Sequence, residues 1–200
     1  MIRVEEDGDL WTLRIDRPKK ANALTACMLH EIADALGDAR KARAVILTAI
    51  GPVFSAGMDL DEAQTGLATD PVWERVSAAM AELPCLTIAA LNGTLAGGAF
   101  GMVLAADLRV VVPEASFFYP VMKLGFLPQP SDPRRLTALV GPARAKLLLM
   151  AGSKFTAEDA LAYGLVDVID ADPFARAQEL ASATLGARPE HAAAVKRLLG

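Results

Sequence analysis

Two glycine-bearing segments, Ser55-Ala-Gly-Met-Asp-Leu60 and Asn92-Gly-Thr-Leu-Ala-Gly-Gly-Ala-Phe-Gly101, each follow a strand-like apolar run. Glycine permits close backbone approach and unusual φ/ψ values, so such segments can aim backbone N–H groups at one point in a dry pocket. Donors arranged in that way stabilise negative charge developing on a carbonyl oxygen. The pair therefore points to acyl-group chemistry, with the N–H groups of Met58 and Gly98 as two halves of an oxyanion hole. A short helix starting near Gly98 would add the positive end of its dipole.

Other uses of the same glycines fit less well. A phosphate-binding P-loop needs a Lys-Ser/Thr pair after its last glycine, whereas Met102 and Val103 follow Gly101. A dinucleotide fingerprint needs an acid about twenty residues on, where this chain has Tyr119 to Val121. Gly57, Gly97 and Gly98 could instead serve only tight strand-to-helix packing. Two such segments in this order favour the acyl site.

The elements that must position these loops are legible in the apolar pattern. Ile2 to Glu6 and Leu10 to Ile15 form a hairpin around Asp7-Gly8-Asp9. Helical spacing from Thr25 through Leu29, Ile32, Ala33 and Leu36 predicts a helix closed by Gly37. Ala44 to Ile50 and Leu86 to Leu91 are continuous apolar strands, separated by a helix over Pro71 to Leu83. Strands of this kind, alternating with helices, indicate a parallel sheet covered on both faces. Further on, the pattern predicts a buried helix over Ala99 to Ala106, a strand over Leu108 to Val112 and an extended stub from Ser116 to Tyr119. Helices follow near Ala143 to Met150 and Thr156 to Tyr163, the latter with a capping box of Thr156 and Asp159. Pro173 to Leu185 and Pro189 to Leu199 complete the helices, with Gly200 after the last.

With 200 residues the chain suits one α/β domain, 1–200, comprising a core over 1–170 and a short C-terminal helical segment over 171–200. Although 53% of residues are hydrophobic, every apolar run is interrupted well before the roughly 18 residues of a membrane span. A net charge of −4 argues against general nucleic-acid binding. The acidic N-terminus lacks the pattern of a signal peptide, which gives a cytoplasmic expectation. Cys27 and Cys85 have no metal-ligand spacing and read as reduced, and no metal is expected. A serine nucleophile at Ser55 or Ser116 would need a base, yet His30 and His191 fall on ordinary amphipathic helices.

The chain resembles the crotonase superfamily, the enoyl-CoA hydratase/isomerase family. The resemblance rests on Arg17-Pro-Lys-Lys-Ala-Asn-Ala-Leu24, Phe54-Ser-Ala-Gly-Met-Asp-Leu60, Ala90-Leu-Asn-Gly93, Ala96-Gly-Gly98 and Ala106-Asp-Leu-Arg109. Lys123-Leu-Gly125, Leu139-Val-Gly141, Ala157-Glu-Asp-Ala160 and Gly164-Leu-Val166 extend it over nearly the whole chain. It implies a spiral of ββα units, with a coenzyme A thioester as substrate or ligand and no further cofactor. The thioester carbonyl would be held by Met58 and Gly98, and the CoA nucleotide cradled near Lys19, Lys20 and Ala21. Ala56, Gly57, Leu60 and Gly97 would complete the loops around the ligand, and Tyr119, Val121 and Gln129 its acyl side.

The departures from the family pattern bear on the reaction. Hydratases of the family carry one glutamate at the position of Gly101 and a second at the position of Val121. Neither glycine nor valine moves a proton, so ordinary hydration is expected to be weak or absent. Asp132, Tyr119 and Asp59 are the substitutes to consider. Asp59 reads first as a brace for its own loop, and Asp132 as a helix cap or turn residue with a catalytic role as the alternative. Tyr119 would line the pocket and Gln129 would orient a water or a carbonyl. Two functions stay open: an acyl-CoA enzyme with non-standard acid/base chemistry, and a non-catalytic acyl-CoA-binding protein. Family members usually carry further helices beyond Lys196-Arg-Leu-Leu199 that build a trimer, so a homo-oligomer is expected with its trimeric form open.

Overall fold

The computed structural model describes residues 1–199, so Gly200, expected to follow the last helix, lies outside it. The chain opens with an antiparallel hairpin, β1 (Ile2–Asp7) and β2 (Leu10–Ile15), followed by α1 (Ala26–Asp38). Three ββα turns come next. The first is β3 (Ala44–Ala49), β4 (Val53–Ser55), α2 (Leu60–Ala63) and α3 (Val72–Ala81); the second is β5 (Leu86–Leu91), β6 (Thr94–Ala96) and α4 (Phe100–Leu104). The third is β7 (Leu108–Val111), β8 (Ser116–Phe118) and α5 (Val121–Leu124). After these come α6 (Asp132–Leu149), β9 (Phe155–Thr156), α7 (Ala157–Tyr163), β10 (Val168–Ile169), α8 (Pro173–Gly186) and α9 (Pro189–Leu199).

In each turn the first strand joins a six-stranded sheet of order β1-β2-β3-β5-β7-β10, and the second joins a four-stranded sheet of order β4-β6-β8-β9. The chain thus winds as a spiral, advancing one strand in both sheets per turn. β3 and β5 have every or nearly every side chain buried, as expected for a sheet covered on both faces. One face packs into the main core with α1, α3 and α4. On the other, Ala177 and Ala181 of α8 meet Ile46, Ile88, Ala90 and Val110.

Local chemistry explains most boundaries. The Thr25 hydroxyl accepts from the Met28 N–H at the start of α1, and the capping box of Thr156 and Asp159 opens α7. Several boundaries shift by a residue or two, as in α4, which ends at Leu104 rather than Ala106, and two further differences stand out. Gly37 does not end α1: it lies inside the helix, which runs to Asp38 before a 3-10 turn over residues 39–41. The helix expected near Ala143 is the second half of α6, which begins at Asp132 and breaks at Gly141, where φ is 76° and Pro142 follows. The proline removes one helical donor and hides the continuity of the two halves in the sequence.

The segment from Arg17 to Leu24 is clamped to the first glycine loop. Asn22 is fully buried with φ of 54°. Its amide oxygen accepts from the Arg17 N–H at 2.8 Å, and its nitrogen donates to Ile50 O at 3.0 Å and Val53 O at 2.7 Å. Replacing Asn22 with Ala leaves these groups unpaired in the interior and removes the local side-chain bonds that make left-handed backbone tolerable for asparagine. Asn22→Ala is expected to cost about 3 kcal/mol in urea denaturation. Asn22→Gly, which relieves only the backbone, should recover no more than about 1 kcal/mol of that loss.

Candidate active site

The parallel pairing of β4 with β6 places the two glycine segments side by side. A β-carbon on Gly57, whose φ is 90°, would lie 2.8 Å from Ala96 O, and one on Gly97, with φ of 56°, would lie 3.6 Å from the Gly57 Cα. At Gly57 only glycine permits this approach, and at Gly97 it is the left-handed backbone that favours glycine. Just beyond the contact, Met58 and Gly98 line the same cavity. Among the described residues neither N–H donates to a side chain or to a loop carbonyl. Gly98 stands in the first turn of a 3-10 segment, Gly97–Ala99, that runs into α4, so its N–H has no helical partner either.

The first loop is held by hydrogen bonds from the Arg17–Leu24 segment. Ala56 N donates to Ala21 O, Leu24 N to Gly57 O and Asp59 N to Leu24 O, all within 2.8–2.9 Å. The buried Ser55 hydroxyl donates to Asn22 O at 2.8 Å and accepts from Gly57 N at 3.1 Å, so it is occupied as a brace. Asp59 caps α2 by accepting from Asp61 N and Glu62 N, and pairs with Arg17 at 2.5 Å. The Arg17 guanidinium, with those N–H groups, holds its carboxyl below the usual range despite burial. Asp59 therefore braces the loop, as its position suggested. Arg17 and Asn22 are members of this support that residue chemistry alone did not single out.

The cavity holds about 90 Å³. Trp73 and Ala68 line it together with Tyr119, Pro120, Val121, Ala56, Gly97 and Gln129. Leu60, Leu124, Phe126 and Leu127 surround it and are largely exposed. No carboxylate, lysine, arginine or histidine lines it among the described residues, and Tyr119 is its one ionisable wall residue. Lys19 and Lys20 are exposed on a 3-10 turn, Pro18–Lys20, directly before Ala21, and neither forms an ion pair among the described residues. Both histidines are exposed, and His30 lies 3.1 Å from Arg75, remote from Ser55 and Ser116 in its contacts.

Asp132 corrects the cap expectation. Ser131 occupies the cap position of α6, no side chain caps it, and the Asp132 carboxyl turns inward with only 1% of the residue exposed. Oδ2 accepts from the Tyr119 hydroxyl at 2.9 Å, and Oδ1 has no partner. The room for this comes from Gly101. A β-carbon there would lie 2.6 Å from Ser77 Oγ and 3.0 Å from Asp132 Oδ1, so a side chain at residue 101 would require the Ser77 hydroxyl to move and the Asp132 carboxyl to give by a few tenths of an ångström. Burial pushes the Asp132 carboxyl up to about 7, opposed by the Tyr119 hydrogen bond and the nearby Arg135 and reinforced by Glu74. Burial and the adjacent Asp132 likewise push the Tyr119 phenol far upward. Glu74 ties the loop before α6 in place by accepting from both the N–H and the hydroxyl of Ser131 at 2.9 Å.

Comparisons with known proteins identify the family. Residues 5–199 match the model of the family described as enoyl-CoA hydratase/isomerase. The chain belongs to the enoyl-CoA hydratase/isomerase family. The "Probable enoyl-CoA hydratase echA6" of Mycobacterium bovis is 36% identical over 187 residues, 90% of this chain and 76% of that protein. The carnitinyl-CoA dehydratase of Escherichia coli K12 is 34% identical over 207 residues, 98% of this chain and 79% of that one. Among solved structures, Pseudomonas aeruginosa DspI superposes with a TM-score of 0.92 at 26% identity, over 99% of this chain and 85% of the other. The spiral of ββα turns is thus the crotonase fold anticipated from the motifs.

The buried carboxyl generates a prediction in pH. Folded Asp132, near 7, binds its proton more tightly than the unfolded residue at about 3.9, so its contribution to stability is greatest below the unfolded value and is lost as pH rises from about 4 to 7. The full span corresponds to at most about 4 kcal/mol. In Asp132→Asn the amide keeps an acceptor for Tyr119 and cannot ionise. The variant is expected to lose this pH dependence and to melt above the native protein at pH 8, as followed by circular dichroism.

Proposed function

We propose that this protein is an acyl-CoA enzyme of the hydratase/isomerase type, which polarises a thioester carbonyl between the N–H groups of Met58 and Gly98. The observation that carries the reading is the glycine contact: it brings two N–H donors without partners to the wall of one small apolar cavity. In a dry site such donors stabilise an enolate oxygen far better than water would, and one of them is typically worth roughly 3 kcal/mol in the transition state. The names of the relatives, which include an enoyl-CoA hydratase and a carnitinyl-CoA dehydratase, support a CoA thioester as the ligand. Lys19 and Lys20 carry two unpaired positive charges beside the loop that ends in Ala56, a suitable place for the phosphates of the nucleotide.

Proton transfer falls to Tyr119 and Asp132. A carboxyl near 7 can both hold and release a proton at neutral pH. It accepts from the hydroxyl of the one ionisable wall residue, so the Tyr119 oxygen takes a proton from the ligand or its attacking water while the Tyr119 proton passes to the Asp132 carboxylate. Gln129, whose N–H donates to the Tyr119 hydroxyl at 3.4 Å, orients that group. The protein acts in the cytoplasm as a homo-oligomer. The wall without carboxylates favours a second reading, a receptor that binds acyl-CoA without turnover.

The deciding experiment titrates crotonyl-CoA and longer enoyl-CoAs by calorimetry while following the enoyl absorbance. Binding with slow loss of absorbance, abolished in Asp132→Asn with binding retained, is the expected result. Binding with no loss under any condition selects the receptor, and no binding refutes both readings. In Gly57→Ala the β-carbon would press on Ala96 O and part the donors, and turnover is expected to fall by about 100-fold. Replacing Lys19 and Lys20 together with Ala should weaken acyl-CoA binding by about tenfold at low salt, and leave acyl-pantetheine binding unchanged.

A further inference from the structure

We propose that Trp73 limits the length of the acyl group this site accepts, restricting it to short neutral chains. The inference rests on the acyl-thioester reading above and adds a specificity residue to it. Trp73 lies in the first turn of α3 and is 3% exposed. Its indole N–H donates to Leu67 O at 2.9 Å, a buried bond that would be broken if the ring swung aside. The benzene edge of the indole lies against Gly98: a β-carbon there would meet Cζ3, Cη2 and Cε3 at 3.1–3.3 Å. The residue that supplies a carbonyl donor therefore carries the end wall on its own Cα. A chain leaving a carbonyl held at the Gly98 N–H meets the indole after a few atoms.

The volume agrees with that geometry. At about 90 Å³ the cavity is well below the size of ordinary ligand pockets, which suits a short chain. The lining holds no charged side chain, with Tyr119 and Gln129 as its polar members, which suits a neutral chain. Ala68 follows Leu67, the residue whose carbonyl fixes the indole, so the wall and its anchor belong to one 3-10 turn, Leu67–Thr69.

Saturated acyl-CoAs from acetyl to octanoyl, which cannot be hydrated, would be titrated by calorimetry into the native protein and into Trp73→Ala, Trp73→Phe and Ala68→Leu. Native affinity should rise about fourfold per methylene to butyryl and fall at least tenfold by octanoyl. Trp73→Ala and, to a smaller extent, Trp73→Phe should move the optimum to longer chains, and Ala68→Leu should move it to acetyl. Free CoA should bind all four proteins equally, which checks that each is folded. If Trp73→Ala does not fold, Trp73→Phe and Ala68→Leu decide by opposite shifts. Affinity that climbs steadily to octanoyl in the native protein, or one optimum shared by all variants, overturns the length limit. Failure of every thioester to bind the native protein overturns the acyl-thioester reading instead.

Discussion

The approach of Gly57 to Ala96 and Gly97 is the contact on which the candidate site depends. It is a backbone contact with no room for a β-carbon, and it follows from the parallel pairing of two three-residue strands, β4 and β6. Strands this short cannot hold such a position by themselves. The clamp from Arg17 to Leu24 supplies what they lack: buried Asn22, the Ser55 hydroxyl, the Arg17–Asp59 pair and three backbone bonds all converge on the first loop. Most of these polar groups are satisfied inside the protein, so the loop is held with little exposure and little freedom.

A second consequence concerns the space opened at Gly101. A β-carbon at that position would press on Ser77 Oγ and crowd the Asp132 carboxyl. The absence of a β-carbon there and the inward turn of Asp132 are two sides of one packing arrangement. Burying a carboxyl with one oxygen unpartnered is unfavourable for the fold. The same burial brings its proton affinity into the neutral range, where acid/base work is done. The acid thus stands one hydrogen bond behind the cavity wall, with Tyr119 between.

Much of this architecture was legible in the residues. Apolar runs located β2, β3 and β5, and the Thr25 cap and the Thr156–Asp159 box located two helix starts, because each depends on neighbours in sequence. The strands β4 and β6 and the helix α5 carried no such signal; three or four residues give no periodicity, and their pairing partners are remote in the chain. The break at Gly141 and Pro142 hid the first half of α6. Asp132 was legible as an acid near a helix start, and its direction was not, since a cap and a buried partner of Tyr119 have the same sequence. Trp73 fell within the helix expected over Pro71 to Leu83 without being singled out, and its indole edge against Gly98 emerges only when α3 packs beside α4.

By itself, then, the sequence determined the class of fold, the family and the two loops able to present backbone donors, because strand burial, capping and glycine freedom are local properties. The tertiary structure alone decided that the two loops touch, that the cavity between them is small and apolar, and that its nearest acid lies behind Tyr119. Those features arise where segments far apart in the chain compete for the same volume, and no local pattern records which of them fills it.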